Sequence, residues 1–506
     1  MKKLLALLAF SLVLLGAGTA WAKGDTLTVV MPSDAKTLDP HMTPESSSNG
    51  AMRQIYESLV MFDAKNELAP VLAEKWEVME DGRAYKFFLR KGVKFHNGEE
   101  MTADDVMFSF QRATAPGSPL RSLSGYIDPK GLEKVDDYTV IVRTTMPIGS
   151  AFLSSMNHPW ASILNKKAVE DGGRDYGMNP VGTGKFKFVS WSKGDRIVYV
   201  RNDEYWGEKA KLKNMVIRTV VEGSSRTIEL ESGAVDVVQE LPSVDIRRIE
   251  ENKKLQLINF PGQRLYYLGF DVTTPPYDNI KVRQAINMVV NRKGIVRAVY
   301  KGNGEPASGP VSSAVLYSKT KELPVPAVDI EGAKKLMAEA GHPNGFTMEI
   351  LSADRNDFIG IATILQSDLA KIGIKAEIKV YEWGAYIDFI KQPGHAPFIM
   401  NWWGGAPALD PFFFMTPVFH SASPSSTNRF YYKNPELDVL LDKGAALNDG
   451  EERKDVYGKA QDIVNHDLPW ISIASPGMPR GAVKELRGVN FTPSFIVYYG
   501  DAYFEE

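Results

Sequence analysis

Apolar and polar residues alternate along the chain with two different periods, and the shorter period predicts strands. Residues 75–95 read KWEVMEDGRAYKFFLRKGVKF. Trp76 and Val78 are separated by one polar residue, and a similar alternation resumes after Asp81-Gly82, a dipeptide that favours tight turns. Side chains two positions apart in a strand lie on one face. The segment therefore predicts a β-hairpin with one buried face.

A period of three to four residues predicts helices elsewhere. Thr102 is the N-cap of one predicted helix, and Asp329 is the N-cap of another. Apolar residues at i, i+3, i+4, i+7 and i+8 predict a strongly amphipathic helical segment over residues 280–300. A helix that runs to Gly373 is followed directly by an alternating strand over residues 374–380. This succession of helices and strands indicates a mixed α/β fold.

The first 22 residues have the three parts of a secretory signal peptide. Lys2 and Lys3 supply the positive charge, residues 4–15 form an apolar run, and residues 20–22 (AWA) form a cleavage site. The apolar run is short for a membrane span, so an N-terminal membrane anchor is the weaker alternative. We expect cleavage after Ala22 and export of the mature chain out of the cytoplasm.

Composition excludes several classes of protein. The sequence has no cysteine, which removes disulfides, thiol nucleophiles, cysteine-based metal sites and the acceptor of a bacterial lipid anchor. Loss of residues 1–22 would leave 484 of the 506 residues, and a chain of this length is expected to form two or three domains. The formal charge would change from −3 to −5, because two lysines leave. Such a mildly acidic chain indicates neither nucleic acid nor an anionic membrane surface as a partner.

No motif of a catalytic or metal site stands out. The seven histidines form no H-E-x-x-H pattern, and no two share a helix face at metal-ligand spacing. The stretch GTGKF at residues 182–186 lacks the hydroxyl of a phosphate-binding loop, because Phe186 stands in its place, and a tight turn is favoured. No G-x-S-x-G nucleophile elbow is present. We expect no enzymatic activity and no cofactor, and an exported hydrolase is the alternative of another class.

Three stretches, in order along the chain, carry a resemblance to one protein family. They are LAPVLAEKWEVMEDGRAYKFFLRKGVKFHNGEEMTADDVMFSFQRA, NPVGTGKFKF with NDEYW downstream, and YYLGFDVTTPPYDNIKVRQAINMVVNRKGIV. Together they resemble the bacterial family 5 extracellular solute-binding proteins, the periplasmic receptors of peptide, nickel and related ABC importers. The resemblance extends over essentially the whole mature chain.

The resemblance implies an α/β periplasmic binding protein with two lobes (class II, cluster C type) and an extra domain beside the discontinuous lobe. We expect the solute to lie between the lobes and an inner-membrane ABC permease to recognise the closed, loaded form, with the receptor a monomer. The expected boundaries are 23–50, 176–270 and 470–506 for lobe I, 51–175 for the extra domain and 271–469 for lobe II.

The resemblance also places the cleft wall of lobe II within residues 381–414. Peptide receptors of this family carry W-x-G-D, whose aspartate binds the peptide's amino group. Aligned on Trp402, this chain has WWGG, so Gly405 stands where that aspartate would be. Asp410 could supply the acid from further along, or it could cap a helix that starts at Pro411. Since neighbouring strand residues point to opposite sides, one of Trp402 and Trp403 is expected in the cleft and the other in the core.

Other candidate ligand contacts come from the same comparison. One of Tyr381 and Trp383 is expected to face the cleft. Arg355 lies near the position of the arginine that binds the ligand carboxylate in peptide receptors, and an exposed surface arginine is the alternative.

Further candidates lie outside this region. His158 could donate a hydrogen bond to an anionic ligand, and Arg121 could bind an anion from the extra domain. No metal site is expected, and His420 would be a ligand only if the solute were a nickel chelate.

The sequence thus predicts a receptor for a short peptide or a peptide-like solute of the glutathione type. A nickel chelate, an oligosaccharide or an opine remains the alternative within the family, because stacked aromatic side chains suit sugars and peptides alike.

Overall fold

The computed structural model describes residues 24–63, 67–403, 409–492 and 496–505. The predicted signal peptide and Gly405 lie outside these described residues. None of the helices in the described ranges is long and apolar enough to cross a membrane.

The strands of the described chain are mostly short. In chain order they are β1 (Thr26–Met31), β2 (Val60–Phe62), β3 (Leu68–Pro70), β4 (Ala73–Met79), β5 (Ala84–Leu89), β6 (Ile127–Asp136), β7 (Thr139–Thr144), β8 (Phe186–Ser192), β9 (Arg196–Arg201), β10 (Asn214–Thr219), β11 (Val237–Val238), β12 (Leu255–Pro261), β13 (Leu265–Gly269), β14 (Gly304–Pro306), β15 (Thr347–Ala353), β16 (Lys375–Tyr381), β17 (Phe398–Trp402), β18 (Trp470–Val483), β19 (Leu486–Arg487) and β20 (Tyr503–Phe504).

The α-helices alternate with these strands. They are α1 (Ser46–Met52), α2 (Ala103–Ala113), α3 (Arg121–Ser124), α4 (Gly149–Ser155), α5 (Lys166–Gly172), α6 (Gly223–Ser232), α7 (Ile246–Glu250), α8 (Ile280–Val289), α9 (Arg292–Val299), α10 (Ile330–Glu339), α11 (Asn356–Ala370), α12 (Trp383–Phe389), α13 (Pro411–Phe419), α14 (Pro435–Ala446) and α15 (Glu451–Asp467).

One long strand, β18, joins two lobes through a single extended sheet. In lobe I its second half pairs with β11 and β12, and the order continues from β11 through β1, β10 and β9 to β8. In lobe II its first half pairs with β13 and β14, and the order continues from β13 through β17 and β15 to β16. β13 and the first half of β18, which the expected boundaries gave to lobe I, thus belong to the lobe II part of the sheet. Residues 262–264, between β12 and β13, make a second crossing. The predicted two-lobed α/β fold is confirmed.

The extra domain is built on a separate four-stranded sheet with the order β4-β5-β7-β6. It contacts lobe I through an ion pair in which Arg112 donates hydrogen bonds to both carboxylate oxygens of Asp39. It also touches lobe II, because the Tyr126 ring lies 5.5 Å from the ring of Phe412. The extra domain therefore bridges the two lobes.

The elements that local sequence signals predict are present in the structure. The hairpin forms between β4 and β5, with Trp76 opposite Phe87 and Asp81 and Gly82 in the left-handed conformation of its turn. Thr102 caps α2 in a capping box with Asp105. The helix and strand around Gly373 are α11 and β16.

Residues 280–300 fold as two helices, α8 and α9, within the predicted helical segment. The break falls at Val290 and Asn291, where the Asn291 side chain accepts a hydrogen bond from the Gly294 N–H at 2.9 Å and caps α9. Each helix buries apolar residues on one face. The apolar pattern in the sequence therefore shows no interruption at the break. Asparagine stabilises a helix start better than a helix interior, because its side chain competes for backbone hydrogen bonds.

Candidate ligand-binding cleft

Three parallel strands of lobe II end at the edge that faces lobe I. Strand β15 runs parallel to β16 and to β17, and the three end at Ala353, Tyr381 and Trp402. At this edge Trp402 pairs with Leu265, the first residue after the crossing from lobe I. In open α/β sheets, ligands bind beyond the carboxyl ends of the strands.

Arg355, Trp383 and Trp403 follow these three strand ends. The Arg355 guanidinium lies 4.8 Å from the centre of the Phe358 ring and 5.9 Å from that of Trp383. Trp383 is 43% exposed and Trp403 is 39% exposed, which is unusual for tryptophan. The structure thus brings three of the predicted ligand contacts together at one edge of the sheet.

The two tryptophans of the WWGG stretch have different surroundings. Trp402 packs against the core, and its indole N–H donates to the Phe414 carbonyl at 3.1 Å. Trp403 has the more exposed ring of the two. In the other pair, Tyr381 packs against Phe389 with ring centres 4.7 Å apart, while Trp383 is more exposed.

Asp410 lies in the interior and caps α13. Its carboxylate accepts the Phe412 N–H at 2.9 Å and two N–H groups of Arg453, each at 2.8 Å. Asp410 is 1% exposed, and the Arg453 side chain is fully buried. Both carboxylate oxygens are therefore used inside the protein, and of the two roles the sequence left open, the structure shows the helix cap.

His158 is also placed in the interior. Its Nδ1 accepts the Trp160 N–H at 3.0 Å, its Nε2 lies 3.1 Å from Asn49, and the residue is 3% exposed. Burial, with the nearby Arg53 charge, lowers the pKa of His158 to about 3. The ring is therefore neutral at neutral pH and is used for packing and capping within the fold.

The two remaining candidates belong to other elements. Arg121 is exposed at the start of α3 in the extra domain. His420 accepts the Ala422 N–H at 3.0 Å and lies 3.3 Å from Asp442. Among the described residues, no three histidine, aspartate or glutamate side chains are placed to hold a metal ion.

A cavity of about 230 Å³ lies at the crossing between the lobes. The Gln263 amide nitrogen and the Tyr300 hydroxyl are buried there, and neither has a hydrogen-bond partner among the described residues. Burial, followed by the nearby Tyr266 and Asp357, raises the pKa of Tyr300, so this hydroxyl stays protonated. Sequence reasoning missed both residues. The available signal was that residues 262–264 separate two apolar strands.

The cavity is connected to Arg355 through a short chain of polar side chains. Tyr266, which lines the cavity beside Tyr300, donates its hydroxyl hydrogen bond to Asp357 at 2.6 Å. Asp357 in turn accepts two hydrogen bonds from Arg355 at 3.1 and 3.2 Å. Hydrogen bonds therefore connect the crossing to the lobe II edge.

Lobe I presents a matching edge. Strands β10 and β11 both run parallel to β1, and all three end toward the crossing. Val221 and Val244 follow β10 and β11, and they are 78% and 73% exposed. The two lobes thus face each other with apolar and aromatic side chains on both rims.

Comparison with known proteins agrees with this architecture. Residues 67–426 match the family model of the bacterial extracellular solute-binding proteins, family 5 Middle. Heme-binding protein A of Haemophilus influenzae is 34% identical, over 85% of this chain and 83% of that protein. Glutathione-binding protein GsiB of Pectobacterium atrosepticum is 30% identical, over 96% of this chain and 95% of that protein.

A solved structure, HbpA2 from Haemophilus parasuis, superimposes with a TM-score of 0.88 at 30% identity. The match covers 95% of this chain and all of that one. The chain therefore belongs to the bacterial extracellular solute-binding proteins of family 5.

Proposed function

We propose that the protein is the periplasmic receptor of an ABC importer and captures a short peptide or peptide-like solute between its two lobes. The observation that carries the proposal is the position of Arg355, Trp383 and Trp403 at the carboxyl ends of three parallel strands beside the crossing. A peptide-like solute offers a carboxylate to the arginine and apolar groups to the indoles.

Arg355 is held in place with part of its donor fork free. Its Nε and one terminal nitrogen donate to Asp357, and the other terminal nitrogen has no partner among the described residues. The side chain is 40% exposed. Because Asp357 is itself fixed by the Tyr266 hydroxyl, the guanidinium loses little freedom when a solute binds.

Three of the carboxylates near this edge are already engaged, whereas Asp354, which follows β15, is exposed. Asp357 binds Arg355 and Tyr266, Asp410 binds Arg453, and Glu382 caps α12 through the Gly384 N–H at 2.7 Å. The partly exposed Arg355 guanidinium is therefore the group that would bind an anionic part of the solute. Glutathione and heme, the ligands named for two relatives, each carry two carboxylates, and glutathione is itself a short peptide.

Capture would use closure of the lobes. A solute that touches Trp403 on lobe II and the rim of lobe I binds the closed form more tightly, and only that difference in affinity favours closure. The permease in the inner membrane would then receive the closed, loaded receptor. The solute leaves chemically unchanged.

The remaining parts of the proposal concern the mature protein. Residues 1–22 would be removed after Ala22, and the chain would work in the periplasm without a lipid anchor, since it has no cysteine. It would act as a monomer without a cofactor.

The test of the proposal is native mass spectrometry of protein purified without refolding, followed by titration calorimetry. Probes would be glutathione, a set of dipeptides, heme, a nickel–histidine chelate, an oligosaccharide and an opine. We expect retained or added glutathione or short peptides, recovered with unchanged mass. A retained nickel adduct, or turnover of a peptide, would contradict the proposal.

A substitution of Arg355 tests whether the solute binds at the lobe II edge. Arg355→Gln should weaken the preferred peptide-like solute by about tenfold or more, because a hydrogen bond to a charged group is lost. Arg247→Gln removes a similar exposed arginine from an ion pair on α7 and should bind like the unchanged protein. Equal affinity of all three proteins would place the solute elsewhere.

A further inference from the structure

A second and larger cavity lies where lobe I meets the extra domain. Its volume is about 780 Å³. One side is formed by residues 488–492 with Ile496, Tyr498 and Asp501, and β12 forms another. Aromatic side chains supply much of the wall, namely Phe62, Trp206, Phe260, Phe491 and Tyr498.

Arg53 is the cation in this cavity that has no counter-ion within ion-pair distance among the described residues. It follows α1, is 6% exposed and lines the cavity. One terminal nitrogen donates to the Asn157 amide oxygen, and its other N–H groups have no partner among the described residues. Burial lowers the pKa of Arg53 to about 10, with Tyr498 and Glu57 opposing the shift, so it stays charged at neutral pH.

The carboxylates around the cavity already have donors. Glu57 accepts from Tyr205 at 2.6 Å, from Thr183 at 2.9 Å and from Trp206 at 3.1 Å. Asp501 is paired with Lys185, the other buried cation of the wall. Asp63 accepts the backbone N–H of Glu67 at 3.0 Å. A buried charge without a counter-ion is costly, so the guanidinium of Arg53 is the group that an incoming anion would satisfy.

This cavity adjoins the cavity at the crossing between the lobes. Phe260 lines the larger cavity, and its direct partner across the β12–β18 ladder, Met478, lines the smaller one. Directly paired residues in an antiparallel sheet project to the same face. Both cavities are therefore lined by residues of the same strand pair, β12 and β18, at the hinge end of lobe I.

We propose that the larger cavity is a carboxylate subsite of the receptor, in which Arg53 binds one carboxylate of the solute and the aromatic wall holds the apolar stem that carries it. The inference rests on the proposed function and deepens it. With Arg355 in lobe II and Arg53 in lobe I, the solute would be a dicarboxylate that gives one carboxylate to each lobe. Such a ligand would stabilise the closed form through two charge-assisted hydrogen-bonding contacts, one to each lobe.

The first test compares acid and ester forms of one probe. Glutathione and its two monoethyl esters, at the glycyl and at the α-glutamyl carboxylate, would be titrated into the unchanged protein, Arg53→Gln and Arg53→Lys. We expect Arg53→Gln to bind glutathione at least tenfold more weakly and to bind one of the esters no worse than the acid. Arg53→Lys should recover part of the loss.

The matched control is Arg90→Gln. Arg90 stacks on the Trp206 ring at 4.5 Å, in the same neighbourhood, without lining the cavity. This variant should keep the affinity for glutathione and the discrimination against both esters. If Arg53→Gln binds glutathione like the unchanged protein, or loses the same factor for the acid and for both esters, the subsite is refuted.

A second test does not depend on glutathione. The probe is 3-phenylpropanoate, an aromatic ring with one carboxylate on a short stem, and the measurement is its effect on thermal unfolding. We expect it to raise the unfolding temperature of the unchanged protein and of Arg90→Gln. The unfolding temperature of Arg53→Gln should stay the same. Equal shifts in all three proteins, or none in any, would overturn the proposal, even where peptide-like solutes bind. Absence of any bound peptide-like solute, with this shift intact, would refute only the proposed function.

Discussion

The ion pair between Asp410 and Arg453 supports the cleft from the inside of lobe II. Its two 2.8 Å hydrogen bonds fix the first turn of α13. Arg453→Met removes the cation while nearly preserving the length of the side chain. Asp410 is then left buried with only the Phe412 N–H as a donor.

The magnitude follows from burial of both partners, which are at most 1% exposed. Removing one partner of such a pair costs about 3–5 kcal/mol, because the other charge stays buried and unpaired. Asp410→Asn should cost less, about 1–2 kcal/mol, since asparagine also caps helices and Arg453 keeps Asp449 and the Gly444 carbonyl. In the Arg453→Met background, Asp410→Asn should therefore restore stability.

The assay is a double-mutant cycle on the free energy of unfolding, with hydrogen exchange of residues 411–419 as the local reading. We expect the double variant to be more stable than Arg453→Met alone by about 1–3 kcal/mol. Affinity of Asp410→Asn for the solute should stay within about threefold, because a difference of that size is below 1 kcal/mol. A double variant less stable than Arg453→Met, or a marked loss of affinity in Asp410→Asn, would refute the assignment of Asp410 to the interior.

Three further predictions concern single residues. Trp403→Ala should weaken solute binding with little change in stability, whereas Trp402→Ala should destabilise lobe II by about 3 kcal/mol, as calorimetric titration and urea unfolding would show. Because the pKa of His158 is lowered to about 3 from its usual 6.5, stability should fall as pH drops below about 6.5, by up to about 1.4 kcal/mol per pH unit. His158→Gln should show a shallower fall in thermal unfolding scans at pH 4–7, and an unchanged slope would refute this. Gly149→Ala should lower the free energy of unfolding, measured in urea, by at least about 1–2 kcal/mol. The reason is that φ is +46° and a Cβ would lie 2.3 Å from the Leu447 carbonyl oxygen. An unchanged free energy of unfolding would contradict this contact.

Local signals in the sequence were sufficient for elements that depend on neighbouring residues. The Asp81-Gly82 turn and the Thr102 and Asp329 caps require only short spacings, and all three occur as predicted. Strand β18 is different, because its partners β11, β12, β13 and β14 lie far away in sequence. No periodicity can specify that one strand serves both lobes.

In the candidate site, too, some features follow from local sequence and others depend on residues that are far apart in the chain. Parallel strand ends place Arg355, Trp383 and Trp403 together, and the family resemblance had already singled them out. The role of Asp410 depends on Arg453, which lies 43 residues further along the chain, so the sequence left two roles open. Arg53 stands in NGAMRQIYES without any motif, and only the folded chain shows that its charge has no counter-ion within ion-pair distance among the described residues.

Closure of the lobes around a solute can be measured directly, because the protein has no cysteine of its own. Spin labels on cysteines introduced at Val221 and Val380, which are 78% and 46% exposed on facing rims, would report the distance between lobes. We predict that saturating glutathione shortens this distance, and that Arg355→Gln shows no shortening at the same concentration. An unchanged distance while calorimetry shows full occupancy would contradict capture between the lobes.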